Sequence, residues 1–285
     1  MKDTQPILII STGRTGTIFL SRLFTDLYPF DPDPPTGPSQ DKPGVASHHE
    51  RGASRVIQIL TNLHFSHLFP KSGLKAAWKI LKGREIESCE RQFHIDANNF
   101  LYGLASLAPE LYPNLKVVHI VRDPRSYVTS QLNFSRQKRT SFIANYFVPF
   151  WQPNPFLVGE LPINKVFTFT RFEKYCWIWN FKNRVMERLE NSTTPYMRVR
   201  FEDLFNSNDP EDLFGKITDF IGLPRVTGIR DRFREPANTS SKTVFPEWRE
   251  WTPQQAAQLQ SLCGERMSKY GYGGEKEWEE KVRDA

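Results

Sequence analysis

Ile7-Leu8-Ile9-Ile10-Ser11-Thr12-Gly13-Arg14-Thr15-Gly16-Thr17-Ile18-Phe19-Leu20 is the stretch on which the fold turns. Four consecutive apolar residues suit a strand buried on both faces, as in a parallel sheet. A small, polar, glycine-bearing turn follows. Ile18, Phe19, Leu20, Leu23, Phe24 and Leu27 then recur at helical spacing. Strand, glycine turn and helix together make an anion cradle. Gly13 and Gly16 can take backbone angles closed to other residues. The loop N–H groups, with Thr15, Gly16, Thr17 and Ile18 at the positive helix end, then face an anion. Arg14 adds a fixed charge, and Thr15 and Thr17 add hydroxyl donors.

The loop is not a Walker A motif, which reads G-x-x-x-x-G-K-[ST]. Gly13 and Gly16 are only three apart, and Thr17 stands where the lysine would. The competing reading is an ordinary strand–turn–helix connection with incidental glycines.

Composition sets the frame around this loop. A chain of 285 residues with 39% hydrophobic and 25% charged content can bury a core as one α/β domain. The net charge of +6 favours anionic ligands. The basic residues form no run, so nucleic acid is not an expected partner. Cys89, Cys176 and Cys263 lie far apart without metal-ligand spacing, and no metal is expected. An odd cysteine count and the lack of a secretory signal or an apolar stretch of membrane-spanning length point to a soluble, cytoplasmic protein.

Further along, Tyr28 to Ser39 is dense in Pro and Asp and reads as irregular. It leads to Ser47-His48-His49-Glu50-Arg51-Gly52. A helix capped near Ser54 is expected next, with Val56, Ile57, Leu60, Leu63 and Leu68 on its apolar face. Pro70-Lys71-Ser72-Gly73 mimics a phosphate loop, but no apolar strand precedes it, so it reads as a helix start capped by Ser72. A short strand is expected over 92–95 and a helix over 99–111. Lys116 to Val121 is a second buried strand. It ends in Arg122-Asp123-Pro124, where Pro124 opens another helix. In open α/β sheets, ligands bind outside the carboxyl ends of the strands. Arg122 sits at such an end, and Ser130 lies about two helical turns on.

The two sites together carry a resemblance. Gly13-Arg14-Thr15-Gly16-Thr17 after one strand, and Arg122-x7-Ser130 after a later one, resemble the two nucleotide-binding signatures of the PAPS-dependent sulfotransferases. Tyr196 to Leu204, Asp219 to Pro224 and Trp248 to Pro253 resemble that family's later segments, in family order. The resemblance implies a P-loop-containing, sulfotransferase-like fold: one α/β domain over 1–285 with a mainly parallel central sheet flanked by helices. It implies PAPS as cosubstrate. The first loop, with Arg14 where cytosolic members carry Lys, would bind the 5′-phosphosulfate. Arg122 and Ser130 would bind the 3′-phosphate. Lys242 occupies the place of a basic loop that touches the 3′-phosphate in family members, although the usual Arg and Gly are missing.

An acceptor hydroxyl needs a base within hydrogen-bond reach. The resemblance to glycan and tyrosyl members implies Glu50. His49 is the alternative, followed by His64, His67 and Asp96. The strongly aromatic segment from Phe134 to Phe181 lies where family members build part of the acceptor pocket. Tyr175 to Phe181 reads as core, at helical spacing into Val185 and Leu189. Tyr146 to Phe156 reads equally as pocket or packing. The acceptor is expected to be a small molecule, lipid-like or carbohydrate hydroxyl. A P-loop kinase of small molecules or nucleotides, with Asp123 in place of a Walker B aspartate, and an inactive nucleotide-binding protein are the alternative readings.

Overall fold

A computed structural model describes residues 4–29, 44–137, 150–234 and 244–285. Its centre is a five-stranded, wholly parallel sheet in the order β2-β3-β1-β4-β5. The strands are β1 (Gln5–Ser11), β2 (Val45–His48), β3 (Phe93–Ala97), β4 (Lys116–Val121) and β5 (Tyr196–Arg200). β1 sits in the middle and pairs with β4, with Leu8 opposite Val117. The two strands expected to share one ligand are therefore immediate neighbours.

The apolar run of β1 is buried on both sides, as its composition requires. Ile7 and Ile9 face one layer with Leu20, Leu23 and Phe24 of α1 (Thr17–Leu27) and Phe214 and Ile217 of the Pro210–Ile221 helix. Leu8 and Ile10 face the other, with Ile57, Leu104, Tyr127 and the aromatic helix Arg171–Glu187. On that helix Tyr175, Trp177, Trp179 and Phe181 are buried core, as their spacing predicts.

Three expectations need correction. α2 spans Gly52–Phe65 and is not capped by Ser54. Glu50 closes its start instead, accepting from the Ala53 N–H at 3.0 Å and the Ser54 N–H at 3.1 Å. Val56 and Leu68 are exposed, and the inward face carries Ser54, Gln58, Thr61 and Asn62 around Ile57. Two of these groups are satisfied by the aromatic segment: Gln58 Nε2 donates to the Trp151 carbonyl at 3.0 Å, and Asn62 Nδ2 to that of Phe150. α3 (Lys71–Trp78) starts after Pro70, so Ser72 lies inside its first turn. The expected helix over 99–111 is a 3-10 segment, Asn99–Ser106, and a short helix, Ala108–Leu111. Pro109 has no N–H for a continuous α-helical ladder.

α3 runs on through a π turn, Lys79–Gly83, into α4 (Arg84–Glu87). After β4 comes a helix over Pro124–Gln137, here α6, since Ala108–Leu111 is α5. No helix of the described residues is long and apolar enough to cross a membrane.

Candidate active site at the carboxyl rim of the sheet

The turn after β1 has the backbone geometry of an anion cradle. Gly13 has φ 106°, Arg14 φ 58° and Gly16 φ 72°. Left-handed angles so close together turn the backbone N–H groups inward, and Arg14 holds its angle at a steric cost that glycine would avoid. Ser11 Oγ braces the turn, accepting from the Gly13 N–H at 3.2 Å and the Thr15 hydroxyl at 2.6 Å. No side chain caps α1. Its first N–H groups and positive end therefore remain for a ligand. Gly16 is required twice over: besides its φ, a Cβ there would come within 2.5 Å of the Phe205 ring.

Arg14, Arg122 and Ser130 are brought together. Arg14 Nε donates to Ser130 Oγ at 3.0 Å, and its guanidinium lies 4.8 Å from the Phe134 ring. Arg122 donates from Nη1 to the Arg14 carbonyl and stacks 4.5 Å over Phe201. Burial lowers the pKa of both guanidinium groups. For Arg122, Glu202 and Asp123 work against that lowering and the nearby Arg14 adds to it.

The turn carrying Arg122 is held from three sides. Trp179 Nε1 donates to the Arg122 carbonyl at 2.9 Å, and the Asp123 N–H donates to Glu202 at 3.1 Å. The Asp123 carboxylate is locked by Arg125 at 2.7 Å, which also binds Glu275. Lys242 lies outside the described residues, as do Phe142, Tyr146 and Phe147. The Val244 N–H donates to Asn133 on α6 at 3.0 Å, one turn beyond Ser130.

His49 and Glu50 follow β2 on the other side of the loop. The loops after β2, β3 and β1 form a chain of contacts: Asn98 donates to the Glu50 carbonyl, and Asn99 lies beside Gly13. His49 Nδ1 is 2.6 Å from the Ala97 carbonyl. A carbonyl only accepts, so Nδ1 carries the hydrogen and Nε2 keeps its lone pair. Burial lowers the His49 pKa, against the Ala97 carbonyl, which raises it. The ring is neutral at pH 7 on that account.

Glu50 is differently placed. Burial raises its pKa, but the Ser54 N–H, Lys82 and the Ala53 and Gly52 N–H groups outweigh that, and the net shift is downward. The carboxylate is committed to starting α2. Behind it Lys82, which is 1% exposed, ion-pairs with Asp96 at 3.0 Å and approaches Glu50 at 3.5 Å. The further base candidates lie elsewhere. Asp96 is fully buried against Lys82, and His64, near the far end of α2, binds the Phe69 carbonyl at 3.0 Å. His67 follows that end of α2 at φ 60°.

Sequence reasoning missed Asn98, Asn99, Lys82 and Glu202. Only Asn98 left a signal, an N-cap residue directly after an apolar strand; it accepts from the Phe100 N–H.

A family model described as the sulfotransferase family matches residues 6–152, more than half of the chain. The chain belongs to the sulfotransferase family. Among solved structures it is similar to a sulfotransferase from Alicyclobacillus acidocaldarius, at 13% identity and TM-score 0.50, over 98% of this chain and 100% of that one. It is also similar to the sulfotransferase domain from the curacin biosynthetic pathway (13%, TM-score 0.47, 95% and 99% covered). A third is the sulfotransferase domain from the Synechococcus PCC 7002 olefin synthase (15%, TM-score 0.46, 92% and 96%). No curated protein matches the sequence. At such identities the first likeness speaks for the fold alone, and the family rests on the matched model.

Proposed function

We propose that this sulfotransferase moves the sulfuryl group of PAPS to an acceptor hydroxyl, giving adenosine 3′,5′-bisphosphate and a sulfate ester. The observation that carries the reading is that Arg122, just after β4, and Ser130 on α6 both meet Arg14 of the glycine-bearing loop that joins β1 to α1. The loop N–H groups and Arg14 take the 5′-phosphosulfate. Arg122 and Ser130 take the 3′-phosphate, which exchanges their present bonds to Arg14 for bonds to the ligand.

In the transfer, the acceptor oxygen forms a bond to sulfur while the bond from sulfur to the phosphate oxygen breaks. Charge growing on the departing phosphate falls to Arg14 and the start of α1. The acceptor proton goes to the base. His49 fits that role better than Glu50. Its Nε2 lone pair has no partner among the described residues, and burial keeps the ring neutral. Glu50, whose pKa is held down by the start of α2 and by Lys82, is the weaker base and fixes the loop that presents His49.

The kinase reading loses support because Asp123, its substitute for a metal-binding aspartate, is spent on Arg125. Calorimetry with adenosine 3′,5′-bisphosphate and with ATP–Mg²⁺, followed by radiolabelled PAPS across a panel of hydroxyl acceptors, tests the proposal. Binding of the bisphosphate and labelled ester are expected. Binding of ATP–Mg²⁺ alone would overturn it. Bisphosphate binding without turnover across the panel would leave an inactive nucleotide-binding protein.

A further inference from the structure

The β2 edge of the sheet carries a cluster that sulfuryl transfer does not use. β2 and β3 run parallel with Ala46 opposite His94 and His48 opposite Asp96. Side chains two apart on a strand share a face, so His48, His94 and Asp96 point to the same side. The π turn Lys79–Gly83 and α4 lay Lys82 and Glu85 over that face.

His48 Nε2 lies 3.4 Å from Glu85 Oε1, and His94 Nε2 lies 3.7 Å from the same oxygen. The two rings stack with centroids 5.1 Å apart. All three donor atoms fall within 4.8 Å of one another. Donors in a tetrahedral zinc site, with bonds of about 2.0–2.1 Å, stand roughly 3.3 Å apart. Two of the three separations are close to that, and small side-chain rotations close the third.

A second observation points to a ligand. His94 is 2% exposed, and its Nε2 has no hydrogen-bond partner. A buried ring nitrogen is costly to leave unsatisfied, and this one is aimed at the gap between His48 and Glu85. Charge points the same way. Lys82 meets Asp96, Glu50 and Glu85 at 3.0, 3.5 and 3.8 Å. One ammonium among three carboxylates leaves two negative charges, which a divalent cation would balance.

We propose that His48, His94 and Glu85 bind a Zn²⁺ ion that ties β2, β3 and α4 together directly behind the His49–Glu50 loop. Two imidazoles and one carboxylate suit zinc, whereas magnesium and calcium prefer all-oxygen sets. Glu85 coordinates through Oε1 alone, since Oε2 faces Lys82. His48 and Glu85 are each 38% exposed, which gives the ion a way in and leaves a position for water. The three ligands come from separate elements with no motif spacing, and for that reason the sequence alone led to the expectation of no metal, which this proposal reverses. The site stands independently of the donor and acceptor assignments.

The test uses the full chain, stripped with a chelator and titrated with Zn²⁺ by calorimetry. One ion per chain is expected, with a rise in Tm as the metal is added. X-ray absorption at the zinc edge should show nitrogen and oxygen ligands at about 2.0–2.1 Å and no sulfur. His48→Asn, at a half-exposed position, and Glu85→Gln should each weaken binding on the order of 100-fold or more, since even outer-shell partners of a metal are worth 10–100-fold. Cys89→Ser should bind as wild type, and excess Mg²⁺ should not compete. No uptake of zinc, a sulfur ligand in the absorption spectrum, or undiminished binding in both ligand variants would each overturn the proposal. The absorption spectrum of the unmutated protein decides the matter even if the variants fold poorly.

Discussion

The two halves of the carboxyl rim solve opposite problems. Around β1 and β4, Arg14 and Arg122 are brought close together, and the nearby acids Asp123 and Glu202 are occupied by Arg125, by the Asp123 N–H and by the Tyr272 hydroxyl. Neither of these two guanidinium groups has a carboxylate within ion-pairing distance among the described residues, so under the proposed function their charge is available to an anionic donor. Around β2 and β3, one buried ammonium faces three carboxylates, and negative charge is left in excess. In the proposed reaction the first half would stabilise the departing phosphate, and the loop beside the second would present the group that takes the proton. Keeping both on one rim requires that the cations and carboxylates not neutralise each other, and the neutral side chains Asn98 and Asn99 lie between them.

The largest effect should come from the boundary between these halves. His49→Ala should lower kcat by roughly 10²–10⁴-fold, the usual worth of general-base catalysis, with little change in affinity for adenosine 3′,5′-bisphosphate. The acceptor should be an aliphatic alcohol or sugar, because an acidic phenol needs little help in losing its proton. A mutant that retains turnover would move the base to the negative half. Next in size is Arg14→Ala. Loss of one preorganised charge-stabilising group costs about 10²–10³-fold in kcat. Arg14→Lys should recover part of that, which a purely structural role for the guanidinium would not allow.

How far each half was legible in the sequence follows from how local its chemistry is. The phosphate loop and the Arg122 turn are contiguous motifs between a buried strand and a helix, so Ile7 to Leu20 and Lys116 to Ser130 announced both themselves and the parallel sheet. Their adjacency followed from one topological rule. The negative half is assembled from Lys82, Glu85, His94 and Asp96, which meet only because α3 passes through a π turn onto the β2 edge. No spacing rule reports a contact of that kind. α2 misled for a related reason. Its inward face is mixed: Ile57 and Leu60 of the expected apolar stripe pack on the core, but Gln58 and Asn62 beside them donate to the backbone carbonyls of Trp151 and Phe150, which a search for apolar periodicity does not see. Glu50 stands in the sequence as the base that the resemblance implies, and its role at the helix start is hidden there because the expected N-cap, Ser54, lies three residues beyond the observed one, Arg51.

A smaller effect sharpens the positive half. Arg122→Ala should weaken donor binding by about ten- to a hundred-fold, as expected for a charge-assisted contact of roughly 1.5–3 kcal/mol. The informative comparison is an analogue lacking the 3′-phosphate. Wild type should bind it less well than adenosine 3′,5′-bisphosphate, and the mutant should scarcely distinguish the two. Equal discrimination by both would place the 3′-phosphate elsewhere on the rim.

The smallest effect is expected at Glu50, and it tests whether the halves are divided as described. Its carboxylate accepts the Ala53 and Ser54 N–H groups and lies 3.5 Å from Lys82. Glu50→Gln keeps one acceptor oxygen for the helix start and removes the charge. Caps of this kind are worth about 1 kcal/mol, so stability should fall by that much or less. kcat should fall less than tenfold, by way of a loosened His49. The pH dependence has a definite sign. A folded-state pKa below the unfolded one means that the unfolded chain binds more protons as pH falls, so the stabilisation is present above the ordinary glutamate range and is lost on acidification through the lowered pKa. The wild-type and Glu50→Gln stability curves should therefore differ at pH 7 and converge in acid. If Glu50→Gln instead abolishes turnover while leaving Tm and its pH dependence unchanged, the carboxylate is free to act as the base, and His49 serves to position it.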